Sequence, residues 1–235
     1  MNYQLDIKDI KDRIILSFTT GSKRLDEFLT GGYKLGTINE IYGEFGTGKT
    51  RFLHQIAYLF CLQKNNYTYF IDNEGTFRPE ILLNLSVRYG GIIKEILNRI
   101  YVSKPLNEKQ FLETLERLEN IKDSLIIIDT LTTHLRLLQN KFYEIELKKV
   151  LRKLLIMASK NNCIIFSNQV RFDEKGENNI TPLGGSAVNE IINTKIKLEN
   201  EGNRIRCIIE NYNAKRKYAI TYLMITNNGI ISVDE

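Results

Sequence analysis

The chain has 235 residues, of which 43% are hydrophobic and 26% are charged. This length can bury the core of one large domain, and the sequence contains no internal repeat, low-complexity tract or evident linker. The formal net charge of +5 suits an anionic partner such as nucleic acid, but net charge does not reveal a local cluster and identifies no partner.

Cysteine usage and apolar patterning exclude secreted and membrane-spanning classes. Cys61, Cys163 and Cys207 lie in apolar or strand-like segments without paired spacing, which predicts reduced core residues rather than disulfides or zinc ligands. The opening segment "MNYQLDIKDIKDRIILSF" lacks the pattern of a signal peptide, and the longest apolar stretches are too short to cross a bilayer. We therefore expect a cytoplasmic protein with no membrane partner.

Apolar runs of strand length alternate with amphipathic segments along most of the chain. The runs are residues 37–42, 67–72, 99–103, 124–129 and 163–168. The segments between them have helical periodicity, and one predicted helix begins at Asn107 with Gln110 placed to complete a capping pair. This alternation predicts an α/β fold with a mainly parallel central sheet flanked by helices. Antiparallel strands are predicted to follow at residues 193–199, 204–211 and 218–226.

The segment "GEFGTGKT", residues 43–50, follows a predicted strand directly and precedes a predicted helix. Glycines let backbone amides converge on phosphate oxygens at the positive end of the helix. Lys49 can reach terminal phosphates, and the Thr50 hydroxyl can ligate Mg²⁺. The predicted nucleotide-binding residues in this phosphate loop are Gly43, Glu44, Phe45, Gly46, Thr47, Gly48, Lys49, Thr50 and Arg51.

Acidic residues end two other predicted strands. Asp129 follows the apolar residues 125–128, at a strand end where a carboxylate can hold Mg²⁺ through a water molecule. In "YFIDNEGTFRPE", Asp72 and Glu74 also lie at a strand end, the edge where ligands bind in open α/β sheets. Glu74 is our candidate to orient or deprotonate the attacking water, while Asp72 is left open between helix capping and catalysis.

These segments together carry a family resemblance. "TTGSKRLDEFLTGG", "INEIYGEFGTGKT", "YFIDNEGTFRPE", "LIIIDTLTTHLR" and "SNQV" followed by "PLGG" occur in an order and spacing that resemble the RecA-like recombinases, particularly their archaeal and eukaryotic branch. The resemblance covers residues 14–230. It implies a RecA-like P-loop ATPase core at residues 18–235 after a short extension at residues 1–17. It also implies ATP and Mg²⁺ as cofactors, with ATP at a subunit edge, and a role in homologous recombination and DNA repair.

The resemblance also implies roles for individual residues. Lys49 and Thr50 would bind nucleotide and Mg²⁺, with Asp129 supporting the metal partly through water. Glu74 would activate water, and Gln169 would sense the terminal phosphate and relay its presence to the following loop. Arg78 matches a residue near the nucleotide pocket. His54 and His134 lack a metal-ligand partner at a convincing spacing and are interpreted as structural.

Several departures from the family pattern indicate a short archaeal paralogue of the main recombinase. Only about a dozen residues precede the core, and nowhere does Phe occur three residues before Ala, as in the motif that docks neighbouring subunits. The loop that follows Gln169 carries three acidic residues, Asp173, Glu174 and Glu177, and only two basic ones. This charge balance disfavours DNA binding and therefore strong strand exchange. Ile81 stands where close relatives have an Arg that stacks on adenine.

Basic residues in the two shortened loops and in the turn before the last predicted strands are the candidate DNA contacts. They are Arg136, Lys141, Arg171, Lys175, Lys215 and Arg216, with Tyr143 and Tyr212 as candidates for base stacking. The expected partners are single-stranded DNA, with double-stranded or branched DNA as further forms, a main RadA-type recombinase or other repair proteins, and further copies of the chain.

Three functions remain open on the sequence. The favoured one is an ATP-binding, DNA-binding accessory or regulatory factor with weak ATPase activity, acting alongside the main recombinase. The alternative is a DNA-stimulated, filament-forming recombinase that catalyses strand exchange itself. A third is a signalling ATPase of the KaiC type without DNA binding, against which the segment "EGTFRPE" argues.

Overall fold

The computed structural model describes residues 17–63, 65–138, 140–172, 180–211 and 217–233. Within these ranges the strands are β1 (Ser17–Phe18), β2 (Tyr33–Lys34), β3 (Ile38–Gly43), β4 (Thr68–Asp72), β5 (Ile100–Ser103), β6 (Leu125–Asp129), β7 (Cys163–Asn168), β8 (Val170–Phe172), β9 (Ile180–Pro182), β10 (Thr194–Glu201), β11 (Arg204–Asn211), β12 (Lys217–Thr226) and β13 (Gly229–Ser232). The helices are α1 (Lys23–Phe28), α2 (Lys49–Leu62), α3 (Pro79–Tyr89), α4 (Ile93–Leu97), α5 (Glu108–Leu118), α6 (Asn140–Ser159) and α7 (Gly185–Asn189), and a 3₁₀ turn covers Leu135–Leu137.

One nine-stranded sheet organises the described part of the chain, in the order β13-β12-β11-β10-β3-β7-β6-β4-β5. Neighbours from β10 across to β5 pair in parallel, whereas β10, β11, β12 and β13 pair antiparallel. This topology confirms the predicted α/β fold with a mainly parallel sheet and antiparallel C-terminal strands. No helix in the described ranges is both long and apolar enough to cross a membrane.

The inner parallel strands β3, β4, β6 and β7 are buried, because successive side chains alternate between the two faces of the sheet and both faces are covered. On one face Ile127 packs in a cluster with Phe52 of α2. On the other face Ile126 and Ile128 pack in a cluster with Leu154 of α6. The unbroken apolar run 125–128 is therefore the expected sequence of a central strand, and it places Asp129 at the carboxyl edge of the sheet.

Two local predictions from the sequence are confirmed. The Asn107 side chain accepts a hydrogen bond from the Gln110 amide at 3.0 Å, and the Gln110 side chain accepts one from the Leu106 amide at 2.9 Å. Cys61, Cys163 and Cys207 are free and buried. Burial raises the pKa of all three thiols, so they behave as core residues rather than as reactive groups.

The structure differs from the sequence prediction just after Gln169, where the segment that carries Asp173, Glu174 and Glu177 is predicted as a loop. Instead, the flanks of that segment pair as the short antiparallel strands β8 and β9, with Val170 opposite Pro182 and Phe172 opposite Ile180. Branched and aromatic residues favour such pairing locally even when the segment between them is polar. Residues 173–179 lie outside the described residues.

The division of the chain at residue 17 stays a prediction. Ser17 and Phe18 pair antiparallel with β2, and Phe18 is buried against the rings of Tyr33 and Phe60. Residues 1–16 lie outside the described residues.

His54 joins the first turn of α2 to the segment that precedes α3. Its Nδ1 lies 2.7 Å from the Thr50 carbonyl oxygen, and its Nε2 accepts a hydrogen bond from the Arg78 amide at 3.0 Å. The ring is fully buried and stacks on Phe77, with centroids 4.7 Å apart. This set of partners requires a neutral imidazole that donates from Nδ1, and it agrees with the predicted structural role.

We expect His54 to make the protein less stable in mild acid. Burial lowers the pKa of the imidazole below its ordinary value, and the hydrogen bond to Thr50 only partly opposes this. Since the unfolded chain takes up the proton first, the contribution of His54 is complete above about pH 6.5 and is lost as pH falls below that value. Urea unfolding from pH 8 to pH 5 should show a smaller loss of stability in His54→Gln than in the wild type.

Leu59→Ala is the control, because it removes buried methyl groups from the same helix without removing an ionisable group. It should lower the free energy of unfolding by the same amount at every pH. Equal pH dependence in His54→Gln and the wild type would contradict the neutral-imidazole interpretation.

Candidate functional site

A cavity of about 810 Å³ lies where β3, β4, β6 and β7 end. Its volume falls within the roughly 300–1,000 Å³ range of small-molecule sites. Parallel strands bring their carboxyl ends to one edge, and the register of β4 on β6 sets Asp72 directly opposite Asp129. Segments far apart in sequence therefore converge on one site.

Most of the residues predicted from the sequence line this cavity. They are Gly43, Glu44, Phe45, Gly46, Gly48, Lys49, Thr50, Arg51, Glu74, Asp129 and Gln169. Thr47 is buried and donates its hydroxyl to the Glu44 carbonyl at 2.9 Å, so it shapes the loop rather than facing the cavity. Arg78 also lies away from the lining, since its guanidinium donates to the Gly75 and Phe77 carbonyls at 3.3 and 3.0 Å.

The phosphate loop requires glycine at defined positions. Gly48 precedes α2 with φ of 87°, and a Cβ there would lie 2.6 Å from Ile225 Cδ1. A Cβ on Gly43 would lie 2.3 Å from the Leu198 carbonyl oxygen. The loop can therefore hold its backbone amides at the start of a 14-residue helix, where their partial positive charge favours an anion.

Lys49 folds back over the phosphate loop. Its Nζ donates to the carbonyl oxygens of Gly43 and Glu44 at 2.8 and 2.7 Å. Burial lowers the pKa of the ammonium, while the carboxylates of Asp129, Glu74 and Glu44 act in the opposite direction. A cation held beside carbonyl oxygens and the helix terminus is placed to bind a phosphate group.

Asp129 is buried and receives hydroxyl donors. Thr50 donates to its Oδ2 at 2.8 Å and Thr76 donates to the same oxygen at 3.4 Å, while Ser167 donates to Oδ1. Burial raises the pKa of this carboxyl, and the hydrogen bonds from Ser167 and Thr50 oppose the rise.

Oxygen donors beside a buried carboxylate fit Mg²⁺, which binds hard oxygen ligands. Thr50 and Asp129 are the two residues that would hold the metal. Among the described residues no group of three or more His, Cys, Asp or Glu side chains could hold a metal ion. Waters and phosphate oxygens would therefore have to complete the shell, which is the usual arrangement for Mg²⁺ at phosphate sites.

Asp72 holds the turn that carries Glu74. Its two carboxylate oxygens accept from the backbone amides of Thr76 and Phe77 at 2.9 and 3.0 Å, and the side chain is buried. Both oxygens of Asp72 are thus used to fix the backbone of residues 73–77. The structure supports capping over catalysis for Asp72.

Glu74 lies at one end of a chain of side chains that crosses the cavity mouth. Gln169 donates its amide to Glu74 Oε1 at 2.6 Å, and Arg136 donates to the Gln169 side-chain oxygen. The hydroxyls of Thr133 and Thr130 also point to Glu74 Oε1, at 3.2 and 3.4 Å. The candidate catalytic carboxylate is therefore tied to the end of β7 and to the 3₁₀ turn after β6.

A buried polar network lies beneath Gln169. The Asn168 side chain accepts from Thr132 at 2.9 Å and donates to Glu40 at 3.0 Å and to the Leu183 carbonyl. Glu40 also lies 3.4 Å from Lys195, and both side chains are almost completely buried. Burial raises the pKa of Glu40, and the charge of Lys195 opposes the rise. This network joins β3, β7, β10 and the segment before α7 directly below the cavity.

The predicted DNA contacts are only partly placed. Arg136 is exposed and binds Gln169. Lys141 and Arg171 belong to α6 and β8, but their side chains lie outside the described part of the structure, and Lys175, Lys215, Arg216 and Tyr212 lie outside the described residues. Tyr143 belongs to α6 and is partly buried against the core. His134 is buried, with Nε2 3.1 Å from the Pro105 carbonyl oxygen, and agrees with its predicted structural role.

Some lining residues have no evident sequence signal. Ile225 and Val170 contribute apolar surface to the cavity from β12 and β8. Ile225 comes from a strand that no predicted motif includes, whereas Val170 directly follows Gln169 in the segment "SNQV". Thr76 and Thr130 could have been found, because each lies within a few residues of a predicted acidic site residue.

Proteins of known family match this sequence over nearly its whole length. The family model described as Rad51 matches residues 11–233. The DNA repair and recombination protein RadB of Thermococcus sibiricus is 33% identical over 224 residues, which cover 92% of this chain and 96% of that protein. The protein of the same name from Pyrococcus abyssi is 30% identical, and the match covers 93% of this chain and 95% of that protein.

Two further comparisons extend this result. The DNA repair protein RAD51 of Mycosarcoma maydis is 32% identical over 219 residues, covering 83% of this chain and 64% of that protein. A solved structure described as the crystal structure of the RadB recombinase superposes with a TM-score of 0.79 at 26% identity, covering 92% of this chain and 99% of that one. The predicted resemblance to a short archaeal paralogue is thereby confirmed. The chain belongs to the Rad51 family of RecA-like DNA repair and recombination proteins, and within that family to the RadB group.

Proposed function

We propose that this protein is an accessory factor of recombination in which ATP binding controls DNA binding, and that it hydrolyses ATP slowly while working beside the main RadA-type recombinase. The observation that carries the proposal is the chain Glu74–Gln169–Arg136. It joins the residue that would activate water to a basic residue that would contact DNA.

Nucleotide binding is supported by the geometry of the phosphate loop. The α2 amides and Lys49 would hold the phosphates, and Thr50 and Asp129 would hold Mg²⁺. When bound, the metal would neutralise charge on the phosphate oxygens. Asp72 fixes the backbone around Glu74, so that the carboxylate stays close to the terminal phosphate position.

Slow hydrolysis is supported by the contacts of Glu74. The Gln169 amide donates a hydrogen bond to Glu74 Oε1, and the Thr133 hydroxyl also lies within hydrogen-bond distance of that oxygen. A water molecule that approaches this oxygen has to displace the amide. Use of this oxygen for water activation therefore requires Gln169 to move, and a terminal phosphate that attracts the amide would move it.

DNA coupling is supported by the position of Arg136. Its guanidinium is exposed, so a DNA phosphate can compete with the Gln169 oxygen for it. Loss of that partner would free the Gln169 amide from its place beside Glu74. Nucleotide and DNA would then act on the same pair of hydrogen bonds from opposite ends.

We expect Lys49→Ala and Glu74→Gln to separate binding from chemistry. Removing the Lys49 ammonium should weaken ATP binding by about tenfold to a hundredfold, because a charged hydrogen bond to phosphate contributes roughly 1.5–3 kcal/mol. Glu74→Gln should leave the affinity within about twofold and lower hydrolysis by about a hundredfold or more. Calorimetry and phosphate release measure the two quantities.

Glu80→Gln is the matched control for Glu74→Gln, since Glu80 is exposed at the start of α3 and does not line the cavity. It should behave as the wild type in both assays. Loss of ATP binding together with hydrolysis in Glu74→Gln would indicate a structural carboxylate, and unchanged ATP binding in Lys49→Ala would refute the phosphate-loop assignment.

We expect Arg136→Ala to raise basal hydrolysis by about threefold to tenfold, because one hydrogen bond that holds Gln169 against Glu74 is lost. The same change should reduce the salt dependence of single-stranded DNA binding by a slope of about 0.7, the value for one phosphate contact. Phosphate release and a DNA titration at several salt concentrations measure these effects. Arg117→Ala, on the exposed side of α5, should change neither, and a wild-type salt slope in Arg136→Ala would remove Arg136 from the DNA contact surface.

We expect slow hydrolysis, weak stimulation by single-stranded DNA and no filaments, because the segment 131–138 that follows β6 is short and the sequence has no Phe three residues before an Ala. The solution mass, measured with and without ATP and DNA, should report at most small oligomers. Strong stimulation together with filaments would instead establish a self-standing recombinase. Absence of DNA affinity under all nucleotide conditions would favour a signalling ATPase.

A further inference from the structure

We infer that two copies of this chain associate face to face through the outer surface of the antiparallel strands β10–β13. The two faces of this part of the sheet differ in their surroundings. On the inner face, Leu198, Cys207 and Leu223 are buried in one cluster with Phe52 of α2. The residues of β10–β13 that alternate with this buried set point away from α2, and we call the surface that they form the outer face.

An apolar strip runs along β12 on the outer face. Tyr218, Ile220 and Met224 are 64%, 48% and 38% exposed. Ile208 of β11 lies opposite Ile220, and Ile231 of β13 lies opposite Met224, so both widen the strip. The solvent-facing side of an antiparallel sheet is normally polar. A contiguous apolar strip bounded by charged residues marks a surface that contacts another molecule.

The charged residues of the outer face decide the kind of partner. β10 and β11 carry three basic and three acidic side chains there that are not fully buried, namely Lys197, Arg204, Arg206, Glu199, Glu201 and Glu210. Several of them pair with one another, as Arg206 does with Glu199 at 2.9 Å. A surface with equal numbers of both signs has no net attraction for the phosphates of DNA. The partner is therefore a protein surface that offers both charges.

The order of the charges makes the outer face complementary to itself. Along β10 the charge changes from basic at Lys197 to acidic at Glu199, and along β11 it changes from basic at Arg204 to acidic at Glu210. Consider a two-fold axis that lies in the interface, crosses the strands at right angles and passes between residues 197 and 199. It places Lys197 against Glu199 of the second copy, and Arg204 against Glu210 of the second copy. Each contact then occurs twice, as in isologous dimers.

The same axis brings the apolar strip onto itself. Ile220 faces Tyr222 of the second copy, and Tyr218 faces Met224 of the second copy, because these residues lie at matching distances from the axis. β10, β11 and β12 have 8, 8 and 10 residues. With β13 they present a face of roughly 20 by 25 Å, near the lower end of specific interfaces at about 600 Å² per partner. We therefore expect a reversible dimer with a micromolar dissociation constant.

The test is sedimentation equilibrium of the full chain without nucleotide, over about 1–100 µM. The wild type should pass reversibly from monomer to dimer. Lys197→Glu and Glu199→Lys should each weaken the dimer by about tenfold or more, because each places like charges together at two symmetry-related positions. Lys109→Glu, the same charge reversal at an exposed position of α5, is the matched control and should leave the dimer unchanged. Urea unfolding checks that each variant is folded.

An equimolar mixture of the two weakened variants is the decisive measurement. In a mixed pair, the new glutamate of one variant faces the new lysine of the other, and the unchanged Glu199 faces the unchanged Lys197. The mixture should therefore dimerise about as tightly as the wild type. Lys197 and Glu199 also contact each other within one chain, at 2.6 Å. Damage confined to that internal contact would not be repaired by mixing.

Three results would each overturn the inference. A wild type that stays monomeric at the highest concentration would mean that another segment of the chain or a different protein covers the outer face. Single variants that dimerise like the wild type would place the contact elsewhere on the molecule. A mixture that stays monomeric would exclude the two-fold arrangement. ATP binding enters none of these measurements, so the inference can fail while the proposed function stands.

Discussion

The buried carboxylate of Asp129 is the constraint on which the site depends. Removing a charge from water is costly unless hydrogen bonds or an opposite charge compensate it. Three hydroxyl groups, from three different segments, supply part of that compensation. Lys49 supplies a nearby positive charge, and a bound Mg²⁺ would supply more. The position of Asp129 therefore determines where the phosphate loop, the turn after β4 and the end of β7 must meet.

Much of the fold could be predicted from the sequence because its signals are local. The run 125–128 has no polar residue, which indicates a strand buried on both faces, and the phosphate loop can be read from its glycines and Lys49. The remaining features depend on pairing between distant segments. Ser167 reaches Asp129 only because β7 lies beside β6, and Ile225 reaches the cavity only because β12 lies beyond β10 and β11.

The ion pair of Glu40 and Lys195 is another feature that the sequence does not predict. The two residues are adjacent because β3 and β10 pair in parallel, and no local pattern connects them. Replacing one partner alone would leave an uncompensated buried charge, a large effect on stability, whereas the intact pair adds little net free energy. The ion pair contributes instead to the geometry of the site, because Glu40 accepts a hydrogen bond from Asn168, the residue immediately before Gln169.

The site therefore combines fixed and movable parts. Asp72, Asp129 and Asn168 are buried and use their oxygens or amide in hydrogen bonds to the surrounding framework. Glu74 and Arg136 are exposed, and the side chain of Gln169 connects them. Exposed hydrogen bonds exchange readily with water or ligands, whereas buried ones are costly to break. A ligand that binds at either end of this exposed chain can thus change the position of Gln169 without disturbing the framework, which is the physical requirement for coupling two sites across a rigid sheet.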